Sequence, residues 1–192
     1  MKIKVLLGAI RHGRKSEAVA QLVMERLSYN RRIEPELIDL RDYPFPLLEQ
    51  RVDEMAEPPA GFTAFSAALE KADGIIIVAP EYKGGIPGVL KNALDYLKPR
   101  IFYHIPVGIV TLSSGIYGGI NCLSQLRLTV LALGGVPIPE HLSVSFVNEL
   151  LEGANRHMNK EKLIVKTDQF INGFSWYVER LMNKQEALLD NA

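Results

Sequence analysis

The 192-residue sequence predicts an α/β protein with five parallel strands in the order 2-1-3-4-5 and helices on both sides of the sheet. Three observations predict it. Apolar runs of strand length recur five times, segments of helical period separate them, and two runs, GIIIVAP and IPVGIVTL, are β-branched and nearly uninterrupted. Strands read that way when helices cover both of their faces. Alternating β and α units then specify a doubly wound sheet, because parallel neighbours require crossovers and those crossovers are right-handed.

Each element has its own warrant. Strands are expected at Ile3 to Leu7, Glu36 to Leu40, Gly74 to Ala79, Pro106 to Leu112 and Val136 to Val144, with the third and fourth central. Between the first two strands, Ala18, Leu22, Val23 and Leu27 mark an amphipathic helix with Ser16 as its N-cap. Gly61 to Lys71 forms a second helix, and Pro87 to Leu97 a third, with its proline in the first turn, where a missing N–H costs little. Residues 118–133 form a fourth helix. After Asn159, apolar residues from Leu163 to Met182 recur every three or four positions and argue a long final helix. Asp42 to Pro59 is proline-rich and aperiodic, a surface loop whose length suits a functional or partner-contacting role. The sum is one flavodoxin-like domain over residues 1–192, a three-layer sandwich.

Composition bounds the function. With 22 basic and 22 acidic side chains, no global field draws the chain toward nucleic acid or an anionic membrane, so any anion site is local. Cys122 is the only cysteine, which excludes an internal disulfide and fits a reducing, cytoplasmic compartment. No apolar run reaches membrane-spanning length, and charge returns at Arg11 before a signal-peptide core is complete. The four histidines lack metal-ligand spacing, and no nucleophile elbow is present.

In an open α/β sheet of this order, ligands bind beyond the carboxyl ends of the strands, where the loops after the first, third and fourth strands lie side by side. Those loops read GAIRHGRKS, PEYKGGIPG and SSGIYGG. The first concentrates Arg11, His12, Arg14 and Lys15 at the start of a helix, where a phosphate would meet free N–H groups and the positive helix end. Its bland alternative is a solvated basic turn with a serine cap. A nucleoside-triphosphate loop is a poor match, because one residue intrudes in G-x-x-x-x-G-K-[ST], and the dinucleotide fingerprint is absent. In the second loop, Pro80 fixes the chain's exit and Gly84, Gly85 and Gly88 permit close approach to a flat ligand; otherwise it is a tight turn plugged by Tyr82. In the third, Tyr117 either covers a bound ring or packs on the surface. Cys122 reads as a buried small apolar residue.

Together these segments resemble the NADPH-dependent FMN reductase family of flavodoxin-like quinone, azo-dye and chromate reductases. Pro80 to Leu97, PEYKGGIPGVLKNALDYL, is similar to that family's P-E-Y-N-x-x-x-P-x-x-L-K-N-A-[IL]-D-[WY] signature, and GAIRHGRKSEAVA resembles its phosphate loop. SSGIYGG and the segment after it resemble its glycine loop, following helix and fifth strand. The resemblance runs from Lys2 to Ser145. It implies that Arg11, Gly13, Arg14 and Ser16 bind the FMN 5′-phosphate, that Pro80, Glu81, Tyr82, Lys83 and Gly84 border the isoalloxazine ring, and that Ser113, Ser114, Gly115 and Gly118 close its other side. It further implies hydride transfer from NADPH or NADH through flavin N5 to a quinone or other small electron acceptor in ping-pong turnover, with no catalytic side chain, and assembly as a homodimer or homotetramer. A flavodoxin-like electron carrier and a non-catalytic flavin-binding or interaction module are the alternatives. Ala9, Lys83 and Asn121 depart from the family pattern, which has serine, asparagine and often arginine there. Lys83 either faces the N1 and O2 edge, where it would stabilise reduced flavin, or points to solvent.

Overall fold

A computed structural model describes residues 1–153 and 159–189. Its elements are β1 (Lys2–Leu7), α1 (Ser16–Ser28), β2 (Glu34–Asp39), α2 (Phe62–Glu70), β3 (Gly74–Pro80), α3 (Gly88–Tyr96), β4 (Pro106–Leu112), α4 (Ile120–Ala132), β5 (Val136–Val144), α5 (Val147–Leu151) and α6 (Lys160–Leu189). The strands pair in parallel in the order β2-β1-β3-β4-β5, as expected.

Both faces of the sheet are buried, and the central strands show why their sequences lack polar alternation. Ile75, Ile77 and Ala79 of β3 enter a core shared with α2, α3 and α4. Ile76 and Val78, facing the other way, enter a core shared with α1, α5 and α6. Each fully buried side chain of this size contributes about 1.5–3 kcal/mol, so an unbroken apolar strand is what this position rewards. Gly74 and Gly108 admit α6: a Cβ on the first would stand 2.8 Å from Phe174 and on the second 2.7 Å from Phe170. A bidentate pair, Arg26 Nε and Nη2 to Asp168 at 2.6 and 2.7 Å, joins α1 to α6.

β2 and α5 depart most from the sequence reading, while β5 keeps its expected bounds, Val136–Val144, and carries an irregularity. β2 runs from Glu34 to Asp39, because its register with β1 starts at Lys2 opposite Glu34 and closes at Leu7 opposite Asp39; Leu40 already lies in a 3-10 turn. β5 slips register against β4 between Val107 and Ile109, where its Pro137 and Pro139 have no N–H to donate. The five-residue α5 is too short to show a helical period. The loop after β2 is anchored rather than free. Phe45 packs 5.3 Å from Phe65 and 5.4 Å from Tyr96 between ring centroids, while Asn92 donates to Pro46 O at 2.7 Å and accepts from Leu48 N–H at 3.0 Å.

Candidate functional site

A cavity of about 330 Å³ opens beyond the carboxyl ends of β1, β3 and β4. Of the residues expected at the site, Arg11, Gly13, Arg14 and Ser16 line it from the first loop, Pro80, Glu81 and Tyr82 from the second, and Ser113 and Ser114 from the third. His12, Lys15, Leu112, Val147 and Asn148 line it as well. Asn148 comes from α5 beyond β5, a segment whose only sequence signal would have been its place after the fifth strand.

The first loop turns at Gly13, which has φ +65° and open space around a would-be Cβ, so glycine is needed there for conformation and not for room. Ser16 does not cap α1. Lys15 is already helical in φ and ψ and stands at the cap position, leaving Ser16 as the first residue inside the helix. Its hydroxyl is wholly buried and has no hydrogen-bond partner. Buried hydroxyls are normally satisfied, so an orphan beside the free N–H groups of a helix start marks a place for an acceptor. Arg11 and Lys15 are exposed at this mouth, and the Arg11 guanidinium carbon lies 5.0 Å from the Tyr82 ring centroid, bridging the first and second loops.

Arg14 is used differently from Arg11. Its side chain is 1% exposed. Nη1 donates to Asp39 Oδ1 at 2.7 Å and to the carbonyl of buried Ala9, Nη2 donates to Asp39 Oδ2, and Nε reaches Glu17 Oε2 at 3.4 Å. Donation to the Asp39 carboxylate is the chief cause that raises the Arg14 pKa further, against the opposing effect of burial. For Asp39, burial by itself favours the protonated form, but the Arg14 guanidinium and the Arg41 N–H outweigh it and hold the carboxyl below its ordinary value. The guanidinium expected to grip phosphate is therefore committed within the protein.

The second loop is a tight turn. Tyr82 N–H donates to Gly85 O at 3.0 Å and Gly85 N–H to Tyr82 O at 3.1 Å, with Lys83 at φ +52° and Gly84 at φ +78° between them. Positive φ at both central residues is the type I′ pattern, which favours asparagine before glycine and explains what a Pro-Glu-Tyr-Asn-type sequence supplies at position 83. Here Lys83 occupies that strained position; it is exposed, and neither it nor Gly84 lines the cavity. Gln125 of α4 clamps the turn, donating to Gly84 O at 3.1 Å and accepting from Ile86 N–H at 3.2 Å.

Glu81 faces the cavity yet spends its carboxylate on α4. Oε2 accepts from the N–H groups of Asn121 at 2.9 Å and Cys122 at 3.2 Å, and Oε1 from Asn121 Nδ2 at 3.3 Å. An acceptor reaching from β3 thus satisfies a helix start that its own glycines leave uncapped. Burial, with Glu81 nearby, pushes the Cys122 thiol up to about 12, so the cysteine is a packing residue. Gly115 is exposed outside the cavity, and Gly118 is buried behind it, with φ +57° and a would-be Cβ 3.1 Å from Ser143. Gly118 shapes the loop through its carbonyl, which accepts from Thr111 Oγ1 at 2.8 Å. Among the described residues no cluster of histidine, cysteine and carboxylates could hold a metal, and no helix is long and apolar enough to cross a membrane.

Comparison with known proteins bears on this geometry. The model of the family described as NADPH-dependent FMN reductase matches residues 1–149. The chain is 27% identical over 188 residues to a quinone reductase of Escherichia coli, covering 94% of this chain and 97% of that one. It is 29% identical over 142 residues to an NADPH azoreductase of a Bacillus species, covering 74% and 75%. Among solved structures, a flavoenzyme NAD(P)H:acceptor oxidoreductase of Paracoccus denitrificans superposes with a TM-score of 0.74 at 20% identity over 93% of this chain and 97% of that one, a likeness of fold.

Proposed function

Because the chain belongs to the NADPH-dependent FMN reductase family, we propose that its cavity beyond β1, β3 and β4 holds FMN and that the enzyme reduces a quinone, an azo compound or a similar small acceptor with NADPH or NADH. The observation that carries the reading is the orphaned, buried Ser16 hydroxyl among the open N–H groups of α1. A phosphate monoester supplies the acceptors that this corner lacks.

The chain's own residues bind and orient. Ser16 Oγ, the N–H groups of the first turn of α1 and the Arg11 guanidinium hold the phosphate, and Gly13 lets the loop wrap it. Pro80, Tyr82 and Glu81 form one wall and Ser113 with Ser114 the other, while Asn148 offers an amide from the β5 side. Gly84, Gly115 and Gly118 act behind these walls by shaping turns. When bound, FMN supplies the two-electron relay between nicotinamide and acceptor; no side chain is required as acid or base.

The enzyme is further proposed to work as a homo-oligomer in the cytoplasm. Ile116, Tyr117, Leu128 and Leu131 are 62%, 77%, 68% and 58% exposed, an apolar load suited to a second copy. The single buried thiol suits a reducing compartment.

The test is reconstitution. The purified protein should take up FMN at micromolar affinity or better and turn yellow, and NADPH should bleach it anaerobically, with colour restored by a quinone. A protein that takes up no FMN, or whose bound FMN neither nicotinamide reduces, would overturn the reading.

A further inference from the structure

The first loop contains two arginines three residues apart, and the structure separates their roles. Arg11 stands exposed at the cavity mouth, whereas Arg14 is turned inward, its guanidinium shared among Asp39, the Ala9 carbonyl and Glu17. Asp39 is the last residue of β2, opposite Leu7 at the end of β1, so the pair ties the loop after β1 to the neighbouring strand end. Asp39 Oδ1 also accepts from the Arg41 N–H at 2.9 Å, and Arg41 Nη2 donates to Arg11 O at 3.1 Å. One carboxylate therefore fixes the loop at Arg14 directly and at Arg11 through Arg41. Arg14 and Asp39 together carry no net charge, so they add little field at the cavity. What they add is geometry: a planar, bidentate brace between the first loop and the end of β2.

We propose that Asp39 is a positioning residue for phosphate binding, holding the Arg14 guanidinium turned inward as a brace so that Ser16, Arg11 and the first turn of α1 face the anion. This rests on the reading that FMN phosphate lies at the mouth of α1. It leads to an effect of unusual sign. Removing a negative charge close to a phosphate site should tighten anion binding by electrostatics alone, and a freed Arg14 would tighten it further. A brace predicts the opposite: Asp39→Asn weakens FMN.

The experiment titrates the apoprotein, in wild-type and variant forms, with FMN and with riboflavin, which lacks the phosphate. For Asp39→Asn the expected result is a loss of FMN affinity of about tenfold or more with riboflavin affinity held within about threefold, a change confined to phosphate recognition. The double variant Asp39→Asn/Arg14→Gln, which leaves no unpaired buried charge and the net charge unaltered, should lose FMN affinity to the same extent as the single one. It decides the matter should Asp39→Asn alone fail to fold. Unchanged or tighter FMN binding by either variant, or equal losses for FMN and riboflavin, would overturn the proposal while leaving FMN binding by the wild type intact. Failure of the wild type to bind FMN would instead overturn the functional reading, and this inference with it.

Discussion

Ser16 carries two expectations of opposite sign. Its hydroxyl is buried without a partner, so Ser16→Ala should leave the apoprotein as stable as wild type or stabilise it by about 1 kcal/mol, while FMN binding weakens by roughly fivefold. Thermal melts with and without FMN read both effects. Asp39 sets an acid limit. Its carboxyl titrates below the ordinary 3.8, so the stabilisation it confers is complete above about that pH and is lost as pH falls through the lower, folded-state value. Asp39→Asn should flatten the acid limb of a stability-against-pH curve; an unchanged limb would remove Asp39 from that role. The sequence exposes the cations of the first loop but not their division of labour, because Arg14 finds its partner 25 positions away. Only the strand register, which sets Asp39 beside that loop, reveals it.

The strands and helices were legible where burial leaves a period or removes one. β3 and β4 are recognisable because both faces are covered, and α6 because its apolar stripe repeats over many turns. Turn geometry was less visible. Gly118 and Gly119, at φ +57° and +88°, delay α4 until Ile120. The clamp from Gln125 to the second loop and the reach of Glu81 to α4 cross 41 and 40 positions, beyond any local pattern. The Lys83–Gly84 turn yields a direct expectation. Asparagine tolerates the left-handed conformation better than lysine, so Lys83→Asn should stabilise the protein by about 0.5–1 kcal/mol in urea unfolding, with activity preserved. A loss of stability would argue that Lys83 makes a compensating contact.

The assembled sandwich depends on α6 lying close to the sheet. Gly108→Ala would drive a methyl to 2.7 Å from Phe170 Cζ, beneath a helix tied to α1 through Arg26 and Asp168, and should destabilise the fold by about 1–3 kcal/mol in chemical denaturation. A neutral result would show that α6 can lift without loss. The predicted order of strands therefore located the cavity correctly, since the three loops meet wherever that order holds, but the closeness of α6 is visible only in three dimensions.

The environment of Cys122 has one more consequence. Quinones are electrophiles that arylate thiolates, and an enzyme proposed to reduce them would be at risk from such an acceptor. With its single thiol buried and its ionisation pushed up to about 12, the protein presents almost no thiolate near neutrality. Native protein incubated with benzoquinone or iodoacetamide should show no cysteine adduct by mass spectrometry, whereas urea-unfolded protein should show one. Rapid labelling of the native form would contradict that immunity.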